Sequence, residues 1–249
     1  MATIVDRRRL LGIMALGVGG AVLASSDSTA IAQAAGCVAT PRETKGPFPA
    51  DGSNGRPRPI NVLAIEGIVR RDIRSSFAGL RGTAEGVPLE LELQLAGARG
   101  CAPLASGAVY LWQNDAAGDY SLYSRSDVNY LRGLQAADAQ GRVRFSAIVP
   151  GCYGGRYPHC HFEVYDSVAA AVRGAAPLLV GQFAFPEAEC REIYRTDRRY
   201  GESLANLEQL PITRDFVFAD ASPRELAQET VQLTGSPAQG YRGTAVIAL

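Results

Sequence analysis

Leu89-Glu90-Leu91-Glu92-Leu93-Gln94-Leu95 alternates without a break between leucine and a polar residue. Successive side chains of an extended chain point to opposite faces, so this stretch carries four leucines on one side and three polar groups on the other. That is the pattern of a strand with one buried and one wet face. Similar runs at residues 61–69, 108–114, 142–149, 159–165, 178–185, 213–218 and 244–249 are predicted as strands. The 27 glycines and 14 prolines of this 249-residue chain supply turns between them and follow no fixed period, which excludes a collagen or a coiled coil. Many short strands in succession predict a mostly β chain: a single antiparallel β-sandwich domain with few short helices. The clearest helix covers residues 222–233, opened by Ser222, with Pro223 at its first position and Glu225 completing a capping box. A shorter one is expected at residues 187–194.

Charge narrows the function. The chain has 25 basic and 25 acidic side chains and no basic cluster beyond Arg7 to Arg9. It lacks the electrostatic footprint that a phosphate backbone requires, so nucleic acid is not an expected partner. Residues 10–24 are apolar but broken by glycines, and they fall short of the about 20 residues of a membrane span. With the basic stretch before them and the small-residue site Ala32-Gln33-Ala34 after them, residues 1–34 read as a signal peptide. Arg7-Arg8-Arg9-Leu10-Leu11 resembles the twin-arginine export motif. The resemblance implies the twin-arginine translocase as a partner during export, and a periplasmic or secreted domain over residues 35–249. Cys37, Cys101, Cys152, Cys160 and Cys190 form no CxxC and no regular framework, which argues against cysteine-bound zinc.

The chemistry concentrates around the only two histidines, His159 and His161. Side chains at i and i+2 of a strand share a face, so both imidazoles can reach one centre. Two half-buried polar residues would show the same spacing. The neighbouring sequence supplies more donors. Pro150-Gly151-Cys152-Tyr153-Gly154-Gly155-Arg156 is a turn-rich stretch that presents a tyrosine and an arginine, and the run from Trp112 to Tyr120 leads off a strand through a glycine turn to a second tyrosine. Two imidazoles and two phenol oxygens suit Fe(III), because a phenol ionises near neutrality only against a strong Lewis acid. An Fe(II) site of two histidines and a carboxylate would instead recruit Glu163, which lies on the same face.

These stretches resemble the intradiol ring-cleavage dioxygenases, in particular an exported twin-arginine group. The matching pieces are Thr40 to Phe48, Arg71-Asp72-Ile73, Trp112 to Tyr120, Leu131-Arg132-Gly133, Asp138 to Pro150, Tyr153 to Arg156, His159-Cys160-His161 and Gln182 to Pro186, in family order over about 160 residues. The resemblance implies a non-haem Fe(III) dioxygenase that cleaves a catechol-type substrate with O2 between its two hydroxylated carbons, giving a cis,cis-muconate. It implies Tyr120 as the retained phenolate, Tyr153 as the phenolate that leaves when substrate binds, and His159 and His161 as the imidazole ligands. It also implies Arg156 beside the electron-rich substrate carbon, Gln182 behind the ligands, and a Cys37–Cys101 disulfide. Phe48, Cys152 and Cys160 depart from the usual family residues. A non-catalytic exported binding module of the same fold, which would be colourless, is the alternative reading; a periplasmic copper or zinc carrier built on the histidine pair, which would need no tyrosine at Tyr120, is a third.

Overall fold

A computed structural model describes residues 38–54 and 59–249. The stretch read as a signal peptide lies outside the described residues, as does Cys37. Among the described residues eight strands form two four-stranded sheets: β1 (Pro88–Ala96), β2 (Ala108–Trp112), β3 (Arg132–Ala136), β4 (Arg142–Ile148), β5 (His159–Tyr165), β6 (Leu179–Ala184), β7 (Gln232–Ser236) and β8 (Gly240–Ala248). The first sheet runs β4-β1-β8-β7 and the second β3-β2-β5-β6. Four short helices decorate them: α1 (Val168–Val172), α2 (Glu187–Thr196), α3 (Ser203–Gln209) and α4 (Pro223–Gln228).

The alternating leucines do what their spacing predicts. Leu89, Leu91, Leu93 and Leu95 are buried and Glu90 and Glu92 are not, and the leucines join Phe145, Phe162 and Phe183 in one core. On β5 the alternation separates two tasks: Cys160, Phe162 and Val164 enter that core, which leaves His159, His161 and Glu163 on the opposite face of the second sheet. The Cys160 thiol therefore points away from the imidazoles. Loops and a second apolar cluster around Tyr110, Trp112 and Tyr120 cover the histidine face.

Several expectations need correction. The sandwich is not purely antiparallel: β1 pairs with β8 in parallel, Leu89 opposite Tyr241 through Ala96 opposite Ala248. Residues 61–69 form a 3-10 turn at Val62–Ala64 with isolated bridges on either side, because the Asn61 side chain accepts a bond from the Leu63 amide at 3.1 Å and bends the chain. Residues 213–218 are a turn rather than a strand, since Asp215 accepts from the Val217 amide at 2.9 Å and is anchored elsewhere by Arg156. The helix expected over 222–233 keeps its capping box but ends at Gln228. There the backbone turns to pair with the end of β6, Ala184 N–H donating to Glu229 O at 2.8 Å and Val231 N–H to Ala184 O at 2.9 Å. Cys101 is disulfide-bonded, while Cys152, Cys160 and Cys190 carry free thiols.

Candidate metal centre

Sheet register lays out the site. Arg132 pairs with Trp112, Trp112 with His161, and His161 with Gln182, so one row of buried side chains crosses all four strands of the second sheet. His159 lies one step along β5, opposite Ala184. The Trp112 ring stacks on His161 with centroids 4.9 Å apart and planes within 3°, which fixes the imidazole plane. His159 is fixed differently: its Nδ1–H donates to Tyr157 O at 2.6 Å, leaving the Nε2 lone pair free to point at the centre. His161 Nδ1 is buried with no such partner among the described residues.

Both tyrosines reach these imidazoles from turns. Tyr120 follows the turn 115–119, which Asp115 closes by accepting from the Ala117 and Asp119 amides at 3.0 Å each. Gly118 sits in that turn at φ +94°, and a Cβ there would come within 3.0 Å of Tyr153 Cβ. The two tyrosines are thus set against each other by a position that only glycine fills without strain. Tyr120 Oη lies 3.3 Å from His159 Nε2 and 3.1 Å from His161 Nε2; the two Nε2 atoms are 3.1 Å apart, and Tyr153 Oη is 3.4 Å from His159 Nε2. Donors about 2.1 Å from a common ion stand about 2.9–3.4 Å apart at angles of 90–109°. These separations fit a four-donor cage for one metal ion.

Electrostatics favour neutral imidazoles. Burial lowers the pKa of both histidines, and the Arg156 guanidinium lowers them further. Burial raises the Tyr120 hydroxyl well above its ordinary value and neighbouring Tyr153 adds to the rise, with the Arg156 and Arg132 cations working against it. A phenol in that setting ionises only for a cation bound directly to its oxygen.

Arg156 reaches the same cluster, with Nη1 at 3.2 Å from His159 Nε2. Its other donors are taken: Nε donates to Asp215 Oδ2 at 2.9 Å and Nη2 to Gln182 Oε1 at 2.7 Å. Gln182 in turn donates from Nε2 to Thr44 O at 2.7 Å. All six residues named from the sequence, Tyr120, Tyr153, Arg156, His159, His161 and Gln182, therefore meet in one place.

Glu163 does not join them. Its carboxylate accepts from Tyr165 Oη at 2.6 Å and pairs with Lys45 Nζ at 2.8 Å. Among the described residues no three His, Cys, Asp or Glu side chains are grouped to hold a metal ion, so the two-histidine, one-carboxylate arrangement is not formed.

Two residues of the site escaped the sequence reading. Asp215 anchors Arg156, and Phe216, 70% exposed, lays its ring 4.7 Å from the guanidinium carbon. The available signal was an aspartate abutting the apolar run Phe216-Val217-Phe218, which reads equally well as the start of a strand. Residues 43–51 form a strap over the ligand side chains. Gly46 passes His161, and the Phe48 ring packs 4.7 Å from Tyr120.

Residues 72–177 match the family model described as Dioxygenase. No curated protein matches the sequence. An intradiol ring-cleavage dioxygenase from Tetranychus urticae superimposes with a TM-score of 0.63 at 21% identity, over 85% of this chain and 94% of that one. The dioxygenase domain of a dioxygenase carbohydrate-binding protein fusion from Streptomyces sp. SirexAA-E gives 0.51 at 24% identity, over 85% and 98%. A 3-chlorocatechol 1,2-dioxygenase from Rhodococcus opacus 1CP gives 0.50 at 18% identity, over 88% and 74%. The chain thus carries the fold found in intradiol ring-cleavage dioxygenases, and its middle 106 residues match a dioxygenase family model.

Proposed function

We propose that this protein is an exported, non-haem Fe(III) intradiol dioxygenase that cleaves a catechol-type ring between its two hydroxylated carbons with O2, giving a cis,cis-muconate. The observation that carries the reading is the convergence of Tyr120 Oη, Tyr153 Oη, His159 Nε2 and His161 Nε2 at separations of 3.1–3.4 Å beside a buried arginine. Fe(III) held by these four side chains would supply the Lewis acidity that ionises a catechol and makes its ring reactive toward O2.

The chain's own residues do the rest. Tyr153, less buried than Tyr120, is the side chain able to move aside, and as a phenolate it would take a catechol proton on Oη and become the neutral phenol. Tyr120, 1% exposed and held under Phe48, stays. Arg156 is a fixed cation: Asp215 and Gln182 hold three of its bonds, so its charge is already aimed where a ring carbon gains electron density. Gln182 keeps the guanidinium from rotating, and the strap with Phe48 excludes water from the ligand side chains.

Ferric-loaded protein should show a visible phenolate band and should consume catechol with one equivalent of O2, without added reductant, to a colourless muconate. Tyr120→Phe should remove much of the band. A yellow semialdehyde product would overturn the intradiol reading, and an uncoloured ferric protein would overturn the ligand set. Export by the twin-arginine route is part of the proposal, supported by Arg7 and Arg8 in the paired positions and by Ala32-Gln33-Ala34. Replacing both arginines with lysine should retain the precursor in the cytoplasm.

A further inference from the structure

Arg132 is wholly buried at the start of β3, in the transverse row with Trp112 and His161. Among the described residues its guanidinium bonds only to neutral oxygens. Nε donates to Ser121 Oγ at 3.0 Å and Nη2 to Ser121 O at 2.9 Å; Nη1 donates to Phe48 O at 3.0 Å, Pro49 O at 3.1 Å and Tyr110 Oη at 3.1 Å. Three separate pieces of chain are knotted by one side chain: the strap, β2, and the residue directly after Tyr120. The planar fork of arginine can reach all three at once, which a lysine ammonium cannot.

The charge is as informative as the bonds. Among the described residues no carboxylate pairs with Arg132. Asp51 and Glu163 close on Lys45 at 2.6 and 2.8 Å and Asp215 on Arg156 at 2.9 Å, and none of these carboxylate oxygens is bonded to Arg132. A guanidinium withdrawn from water without a carboxylate is costly, and such an arrangement is kept where a fixed cation acts on a neighbour. Phenol rings are the neighbours here: Tyr110 by hydrogen bond, Tyr123 with its ring 5.5 Å from the guanidinium carbon, and Tyr120 through Ser121 and the Phe48 ring.

We propose that Arg132 is a positioning residue for Tyr120, one whose buried charge stabilises the electrons of the Tyr120 phenolate in the ferric protein while its fork fixes the turn that follows. The inference rests on the ferric reading above. Because Arg132 grips the backbone side of Tyr120, its field acts on the phenolate more than on the metal. It raises the energy needed to move an electron from phenolate to Fe(III).

Ferric-loaded parent, Arg132→Lys and Arg132→Gln are compared by visible absorption. Both variants lose hydrogen bonds and melt earlier, so melting does not decide; the band does. In Arg132→Gln it should move to longer wavelength, and in Arg132→Lys it should stay near the parent position. Equal shifts in the two variants, or no shift in Arg132→Gln, overturn the inference while leaving the ferric reading intact. A parent protein without a visible band overturns both. If Arg132→Gln does not fold, Ser121→Ala and Tyr110→Phe each remove an acceptor and keep the charge. Their bands should match the parent, and a shift in either would refute the electrostatic role.

Discussion

Removing the Asp215 carboxylate should be among the most damaging changes outside the ligand set. Asp215 is fully buried and Arg156 is 6% exposed, so neither charge can turn to water when the other is lost. Asp215→Ala deletes the bonds from Arg156 Nε at 2.9 Å and Nη2 at 3.4 Å, and also strands the amides of Tyr157 (2.7 Å) and Val217 (2.9 Å). Breaking a buried ion pair by removing one partner costs about 3–5 kcal/mol, a range that already contains much of the penalty for the stranded groups. For a chain of this size that is roughly 6–20 °C in melting temperature. Urea unfolding at pH 7, followed by the fluorescence of the single, buried Trp112, measures it. Arg156→Met/Asp215→Ala should recover part of the loss, because no buried charge is then unpaired, while turnover of catechol stays low. A pH series supplies an independent sign. Burial works to raise the Asp215 carboxyl, but the bonds from Arg156 and from the Tyr157 and Val217 amides outweigh it and hold it below the usual carboxylate range. Its contribution is therefore complete above about pH 4 and is lost as pH falls through the lower folded value, so parent and Asp215→Ala should converge in strong acid. A single variant within about 1 kcal/mol of the parent, or a double variant that merely adds the two single losses, would refute the reasoning.

Glu229 offers the opposite sign. It is fully buried, both of its carboxylate oxygens lack a hydrogen-bond partner among the described residues, and burial pushes its pKa up to about 8, with Glu43, Glu225 and Asp220 adding to the rise. A raised folded value means that stability is complete below about pH 4 and falls as pH climbs toward 8. Glu229→Met should therefore be more stable than the parent at pH 9, by about 1–4 kcal/mol, with the advantage shrinking toward pH 5; an advantage independent of pH would count against this. Gly118→Ala places a Cβ 3.0 Å from that of Tyr153 at a φ of +94°, so it should cost about 1 kcal/mol or more and weaken the Tyr153 share of the ferric band, read by absorption and melting together. Ser222→Ala removes the cap of α4 and should cost about 1 kcal/mol in urea unfolding without touching the band.

What could be read from the sequence follows from which interactions are local. Alternation at Leu89 to Leu95 and the i, i+2 spacing of His159 and His161 are properties of a single strand, so they survive into the structure unchanged. The capping box at Ser222 and Glu225 is equally local. Residues 213–218 and 229–233 failed for the converse reason: their backbones are set by Arg156 and by the end of β6, partners tens of residues away. β3 and β7 escaped notice because glycine and polar residues interrupt them, and their pairing with β2 and β8 overrides that weak local preference. Asp215 belongs to the site through a contact spanning 59 residues.

The parallel pairing of β1 with β8 bears on how the protein is made. β8 holds a central place in its sheet, between β1 and β7, and Leu89 waits for Tyr241 while Ala96 waits for Ala248. Until residues 240–248 are in place, β1 has one bare edge and its sheet is incomplete. Contacts this distant in sequence are slow to close, and the open edge invites pairing with another chain in the interval. Closure of this sheet therefore waits on β8, whatever else has already formed. A chain truncated before Gly240 would hold every candidate ligand of the metal centre yet lack a central strand of the first sheet.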